Sequence, residues 1–274
     1  MSEVMKIDIG AVLAKRMGKR FGLVPRFAVT WLERLICQDQ LNGLLEAIGD
    51  RRDVDAAEII LNRLNVSLKT VGLDAVPDGR FIFASNHPLG GLDGIALIAL
   101  LGRRYDNQIR FLVNDLLMAV KPFENIFLPV NKFGKQSRQY ATDIDAAFDS
   151  TMQMITFPAG LCSRRQPDGT IADPDWRNTF VTRAIRHRRD IIPVFFGGRN
   201  SNRFYNAATW RKRLGLKFNI EQVLLPSEVF RSEGAEFEIY FGQPIEWQSL
   251  DRSRVKEHVG QIRQMVYQLP RQNA

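Results

Sequence analysis

Short apolar runs alternate with helical stretches along most of the chain after Ser67. Each run is too short for a helix, and the stretches between runs place apolar residues at helical spacing. Strands that alternate with helices build βαβ units, in which helices cover both faces of a parallel sheet. The pattern predicts an α/β fold with a mostly parallel central sheet flanked by helices. The predicted strands are 80–84, 109–113, 126–130, 152–157, 191–196 and 237–241, and the predicted helices are 94–101, 142–150 and 254–269.

Residues 1–65 are predicted to form an N-terminal helical region ahead of an α/β domain over 66–274. Apolar residues recur at helical spacing from about residue 11 to residue 64, with a break at Gly49-Asp50. Cations crowd the start of this region beside Phe27 and Trp31. A basic, aromatic, amphipathic helix is typical of segments that lie in a membrane interface. The alternative is that the same apolar stripe packs against the main domain.

The net charge of +8 favours an anionic partner. Nucleic acid, anionic lipid and an acidic carrier protein all fit such a charge, and so does a role in solubility alone. A basic cluster over 183–189 is either a solvated helix end or a docking face for an acyl carrier protein. No apolar run approaches the roughly 20 residues of a membrane span, and charged residues interrupt any signal-peptide core near the N-terminus. With only two distant cysteines, the sequence predicts a cytoplasmic protein, peripheral on the inner face of the cell membrane.

Four polar segments follow predicted strands. Ligands of open α/β sheets bind beyond the carboxyl ends of the strands, so these segments are the candidate site. The last of them, Gly197 to Asn200, suits either an anion pocket or an ordinary turn. The candidate substrate-binding residues on these segments are Asn86, Lys132, Gly160, Arg164, Arg165 and Arg199.

The segment Ser85 to Gly94 carries the chemistry. A strand delivers His87 to a glycine-rich bend, and Asp93 follows where the next helix begins. A carboxylate that accepts a hydrogen bond from one imidazole nitrogen fixes the tautomer and leaves the other nitrogen free to take a proton. An acceptor hydroxyl activated in this way attacks an acyl carbonyl directly, without a Ser or Cys nucleophile. We therefore predict His87 as the catalytic base and Asp93 as its orienting acid.

Asn86 through Asp93 resembles the first motif of the glycerolipid acyltransferases, the lysophospholipid acyltransferases, in which four residues separate the His from the Asp. Here five residues separate them, and the Gly90-Gly91 bend is expected to absorb the extra one. Three later motifs match in order: Phe127 to Lys132, Phe157 to Arg165, and Ile191 to Val194. The residues of the first and third motifs are similar to those of a divergent bacterial branch of the family labelled hemolysin-like. Some members of that branch are implicated in acylating lyso forms of aminolipids.

The resemblance implies an O-acyltransferase of lipid biosynthesis. Its donor would be an acyl thioester, acyl-ACP or acyl-CoA, and no other cofactor and no metal are expected. Its acceptor would be a lysophospholipid or a lyso-aminolipid such as a lyso-ornithine or lyso-glycine lipid, with Lys132, Arg164 and Arg165 on the anionic end. The third motif usually reads Phe-Pro-Glu-Gly, and Ala159 replaces the Glu. We therefore expect an anionic acceptor other than the usual phosphoglycerol.

Two other classes of protein compete with this interpretation. A nucleic-acid-binding or membrane-perturbing protein without catalysis would explain the charge, but it leaves Asn86 to Asp93 unexplained, and no nucleic-acid partner is expected. A serine hydrolase of the α/β type would need a Gly-x-Ser-x-Gly turn, and the chain has none.

Overall fold

The structure is a computed structural model that describes residues 6–114, 117–118, 120–130, 137–216 and 219–272. Four helices open the described chain, followed by strands that alternate with helices. The helices are α1 (Ile9–Met17), α2 (Arg26–Leu35), α3 (Gln38–Ile48), α4 (Asp53–Arg63), α5 (Leu92–Arg104), α6 (Ser137–Asp149), α7 (Thr179–His187), α8 (Asn202–Arg213), α9 (Leu225–Arg231) and α10 (Val255–Gln272). The strands are β1 (Ser67–Val71), β2 (Phe81–Ser85), β3 (Ile109–Val113), β4 (Phe127–Pro129), β5 (Gln153–Thr156), β6 (Arg164–Arg165), β7 (Ile171–Ala172), β8 (Asp190–Phe196) and β9 (Glu236–Phe241).

Seven strands form the central sheet in the order β1-β9-β8-β2-β5-β3-β4. Every neighbouring pair is parallel except β8 and β9, which are antiparallel. The predicted α/β fold with a mostly parallel sheet and an N-terminal helical segment is confirmed. Strand β2 lies in the middle and is buried along its whole length, as expected for an apolar strand with neighbours on both sides.

Two apolar clusters cover the two faces of the sheet. One cluster joins α3, α4 and α5 to the sheet through residues such as Ile60, Leu97 and Phe83. The other joins α6, α7 and α10 through Phe148, Phe180 and Val266. Burial on both faces supplies the main stabilising term of the fold, because removing apolar surface from water is worth about 25 cal/mol per Å².

The basic cluster over 183–189 is only partly solvated, which corrects the prediction. Arg189 is fully buried and His187 nearly so. The Arg189 guanidinium donates hydrogen bonds to the backbone carbonyls of Phe148, Met152 and Ser150 at 2.6, 2.8 and 2.6 Å. A buried cation is tolerated when carbonyl oxygens satisfy its donors, so Arg189 joins the end of α6 to the sheet and is unavailable to a partner protein.

None of the described helices is long and apolar enough to cross a membrane.

Candidate active site

The carboxyl ends of three adjacent parallel strands bring the candidate residues together. Strand β2 lies between β5 and β8 and is parallel to both. His87 follows β2, Phe157 follows β5, and Gly197 follows β8. Side chains far apart in sequence therefore share one edge of the sheet.

His87 and Asp93 are hydrogen-bonded. The His87 Nδ1 atom lies 2.9 Å from Asp93 Oδ2, although five residues separate the two. Gly90 takes up the extra residue in the left-handed region, at a φ of 82°. A side chain there would also meet Leu225 at 2.8 Å, so both the backbone and the packing require glycine.

Asp93 is held by more than the imidazole. Its Oδ2 also accepts the backbone N–H groups of Leu89 at 2.9 Å and Gly90 at 3.3 Å, and Oδ1 accepts the N–H of Gly94 at 2.9 Å. Burial alone would raise the pKa of this fully buried carboxyl. The neighbouring His87 and the hydrogen bonds from the ring and the two amides outweigh burial, and the pKa lies below its ordinary value. Asp93 is therefore a carboxylate at neutral pH, aimed at Nδ1 and leaving Nε2 as the nitrogen that can take a proton.

The imidazole stacks on Phe157, with ring centroids 3.9 Å apart and an interplanar angle of 17°. Phe157 also forms part of the wall of a cavity of about 540 Å³. The wall is mostly apolar and lies beyond the ends of β3, β4 and β5. The apolar lining comprises Leu112, Val113, Val130, Ile144, Phe157, Pro158, Leu161 and Phe180. A cavity suited to an apolar chain therefore begins one side chain away from the His–Asp pair.

A second buried carboxylate, Asp173, holds the loop that carries His87. Its two oxygens accept the backbone N–H of His87 at 3.1 and 3.2 Å, the hydroxyl of Ser163 at 2.6 Å and the indole N–H of Trp176 at 2.9 Å. Burial raises its pKa, and these hydrogen bonds oppose the rise. Asp173 was not among the predicted site residues, because nothing in the run Ala172-Asp173-Pro174 distinguishes it from a solvated turn.

Asn86 supports the site rather than facing a substrate, which corrects its predicted role. Its side-chain N–H donates to the carbonyl of Phe196 at 3.0 Å, and its Oδ1 accepts the N–H of Phe196 at 2.6 Å. The side chain is buried and joins the ends of β2 and β8. Little of this amide is accessible to a substrate.

The Arg164 side chain also binds other residues of the protein. Its guanidinium donates to Glu221, which is buried, at 2.8 Å and to the carbonyl of Cys162 at 2.6 Å. The guanidinium that was predicted to hold the acceptor is therefore already ion-paired within the protein, with a carboxylate that it shares with Arg211.

Arg165 and Arg199 remain exposed and lie near each other. Both guanidinium groups donate to Asn202 Oδ1, at 3.2 and 3.1 Å. Lys132, the remaining predicted cation, lies outside the described residues.

Gly160 lies on the turn after β5 and adopts a φ of 65°. A Cβ placed there would lie 3.5 to 3.7 Å from the guanidinium atoms of Arg177. Gly160 and Arg177 both line the cavity. Arg177 was not among the predicted site residues, and its place directly after Trp176 is the one local feature of the sequence that could have pointed to it. Within the described part of the chain, no group of three His, Cys, Asp or Glu side chains could hold a metal ion.

A family model described as Acyltransferase matches residues 11–273, which is nearly the whole chain. The chain belongs to this acyltransferase family. The predicted acyltransferase activity is thereby confirmed, and the family excludes the alternatives without catalysis.

Two relatives and one solved structure are similar to this acyltransferase. The lyso-glycine lipid O-acyltransferase of Bacteroides thetaiotaomicron is 41% identical over 265 residues, which cover 96% of this chain and 97% of the relative. That of Phocaeicola vulgatus is 41% identical over 268 residues, covering 97% and 96%. The crystal structure of the 1-acyl-sn-glycerophosphate (LPA) acyltransferase PlsC from Thermotoga maritima is similar with a TM-score of 0.47 and 13% identity, over 88% of this chain and 95% of that one.

Proposed function

We propose that this acyltransferase moves a fatty acyl group from an acyl thioester to the hydroxyl of a lyso-glycine lipid or a closely similar lyso-aminolipid. The choice of acceptor is inferred from the two relatives, which are both named lyso-glycine lipid O-acyltransferase and are both 41% identical along nearly the full chain. The catalytic mechanism is inferred from one observation, the 2.9 Å hydrogen bond between His87 and Asp93 at the carboxyl end of β2.

The mechanism is direct transfer. Asp93 accepts the Nδ1–H of His87, and Nε2 removes the proton of the acceptor hydroxyl. The hydroxyl oxygen forms a bond to the thioester carbonyl carbon, and the C–S bond breaks. The proton on Nε2 then passes to the departing thiolate, which leaves as a thiol and returns His87 to its starting state. The donor is acyl-ACP or acyl-CoA, and the reaction needs no other cofactor.

The cavity beside Phe157 is proposed to hold an acyl chain. Its volume of about 540 Å³ falls within the range of pockets that enclose small ligands. Each methylene moved from water into such walls contributes about 0.8 kcal/mol. An apolar cavity next to the base therefore supplies binding energy from the part of the substrate that does not react.

Ala159, which replaces the usual Glu of the third motif, offers no carboxylate to a polyol headgroup. It is buried and packs among Trp176 and Phe180 in the apolar cluster under α7. A glutamate at this position would place a carboxylate in that cluster at a large desolvation cost.

The N-terminal helices are proposed to hold the enzyme on an anionic membrane surface. Leu23, Phe27 and Trp31 are 82, 76 and 62% exposed. Arg20 and Arg26 are exposed on the same short stretch. Large apolar side chains beside cations are the composition that enters a headgroup region. Sedimentation with vesicles of anionic or neutral lipid tests this role. The double change Phe27→Ser and Trp31→Ser should lower binding to anionic vesicles, and equal binding would contradict it.

The reaction itself is tested with purified protein, an acyl-CoA or acyl-ACP, and a synthetic N-(hydroxyacyl)glycine as the acceptor. Mass spectrometry should detect an ester whose mass is that of the acceptor plus the transferred acyl group, less the hydroxyl hydrogen. His87→Ala should abolish the product. His258→Gln is the control, because His258 lies on α10 and accepts only the Asp251 N–H. Product formation by His87→Ala, or no product with any hydroxyl-bearing lysolipid, would refute the proposal.

A further inference from the structure

Two cations line the cavity within the described part of the chain, and they differ in their partners. Arg183 is paired with Asp145 at 2.6 Å and lies over the Phe148 ring. Arg177 is exposed, and the described residues offer it no carboxylate at ion-pair distance. Of these two, only Arg177 has no carboxylate partner among the described residues.

Arg177 is fixed at its base. Its backbone N–H donates to the Pro158 carbonyl at 3.0 Å. The preceding Trp176 is buried and donates its indole N–H to Asp173 at 2.9 Å. These bonds tie the segment to the turn after β5, so the start of the side chain costs little further ordering when a ligand binds.

The guanidinium lies over Gly160, at 3.5 to 3.7 Å from the position of a Cβ. Helix α7 starts two residues after Arg177, and its first residue, Thr179, lines the same cavity. The partial positive charge of a helix N-terminus adds to that of the arginine. Both features favour a bound anion at this point of the wall.

A series of contacts connects Arg177 to the base. The guanidinium lies against Gly160, whose N–H donates to the Phe157 carbonyl at 2.9 Å and closes a turn. Phe157 itself stacks on His87. An anion on Arg177 therefore lies in the same cavity whose wall includes the ring that stacks on the base.

We propose that Arg177 binds the carboxylate of the acceptor and selects a lysolipid with a carboxylate headgroup. This inference rests on the proposed function. Glycine joined to a lipid through its amine keeps a free carboxylate, and a guanidinium matches that group with two parallel hydrogen bonds. Arg177 thus takes the place expected of Arg164, whose guanidinium is already engaged by the buried Glu221.

The test compares two acceptors on one set of variants. The acceptors are a synthetic N-(hydroxyacyl)glycine and its methyl ester, which has no charge. The variants are Arg177→Gln and Arg177→Lys, with Arg252→Gln as the matched control, because Arg252 is an exposed arginine before α10 and does not line the cavity.

Arg177→Gln should raise KM for the acid about tenfold to a hundredfold, the range expected for a lost hydrogen bond to a charged group. The KM for the ester should stay within about threefold, as should the KM for the acyl donor. Arg177→Lys should recover part of the preference for the acid, and Arg252→Gln should match the wild type.

Three outcomes would overturn the inference. An unchanged acid-to-ester preference in Arg177→Gln would show that another group binds the carboxylate. A raised KM for the acyl donor instead of the acceptor would assign Arg177 to a donor phosphate. A wild-type enzyme without preference for the acid would remove the carboxylate from recognition. Each of these outcomes leaves ester formation by the wild type intact, whereas absence of any ester product would refute the proposed function itself.

Discussion

Asp93→Asn tests the role of the buried acid with little change in volume. The native carboxylate accepts four hydrogen bonds, from His87 Nδ1 and from the N–H groups of Leu89, Gly90 and Gly94. An asparagine offers one oxygen and one NH₂ group in their place. If the oxygen keeps facing the ring, the NH₂ points at the Gly94 N–H, donor against donor. If the amide flips, the NH₂ faces the ring and the amides of Leu89 and Gly90.

The flipped amide makes Nδ1 an acceptor, which places the proton on Nε2 and removes the base. General-base catalysis contributes about 10²- to 10⁴-fold, so kcat should fall by about that factor, equivalent to roughly 3 to 5 kcal/mol of barrier. Either orientation also leaves at least one buried donor unpaired, which costs about 1 to 3 kcal/mol of stability.

The measurement is kcat at saturating acceptor and donor, with a thermal melt to establish that each variant is folded at the assay temperature. Asp149→Asn is the matched control. Asp149 also bonds a histidine, His187 Nδ1, at 2.7 Å, but it is exposed and lies at the end of α6. The Asp149→Asn variant should have the same kcat as the wild type. A folded Asp93→Asn enzyme with kcat within about threefold of the wild type would refute the reasoning.

Three further outcomes are expected. Asp173→Asn should lower kcat about tenfold and leave the KM values for donor and acceptor unchanged. The reason is that one misplaced hydrogen bond to the His87 backbone shifts the base from its reactive position. A change in KM alone would contradict this positioning role. Arg189→Met should lower the free energy of unfolding by about 3 to 5 kcal/mol in urea titrations, since it leaves several buried carbonyls unpaired, without changing kcat per folded molecule. The lowered pKa of Asp93 means that its ionisation adds stability above the unfolded pKa of about 4, which is lost as pH falls through the folded value. The difference in unfolding free energy between wild type and Asp93→Asn should therefore shrink as the pH falls below about 4. A difference that grows over that acid range would contradict the lowered pKa.

Much of the architecture followed from local pattern. The central strands are fully buried, so their sequences are almost wholly apolar and stand out, as in Phe81 to Ala84. Strand β1 did not stand out, because it lies at the edge of the sheet and mixes exposed with half-buried residues. The two-residue strands β6 and β7 are too short for any periodicity.

The charged residues of the site were the hardest to assign. Arg164 and Arg177 both lie in polar stretches of the sequence, and nothing local separates them. The difference is that Glu221, far along the chain, meets one and not the other. Asp173 is likewise defined by its contacts, since its partners include His87, 86 positions away.

The sequence by itself determined the alternating α/β order, the buried central strands and the His87–Asp93 motif with its glycine bend, because hydrophobic periodicity and backbone freedom are local properties. Only the tertiary structure decided which cations remain unpaired, which carboxylate holds the His87 loop and where the cavity opens. Those properties depend on burial and on partners that folding brings from distant parts of the chain, and a charge acts on a ligand only when no such partner has already neutralised it.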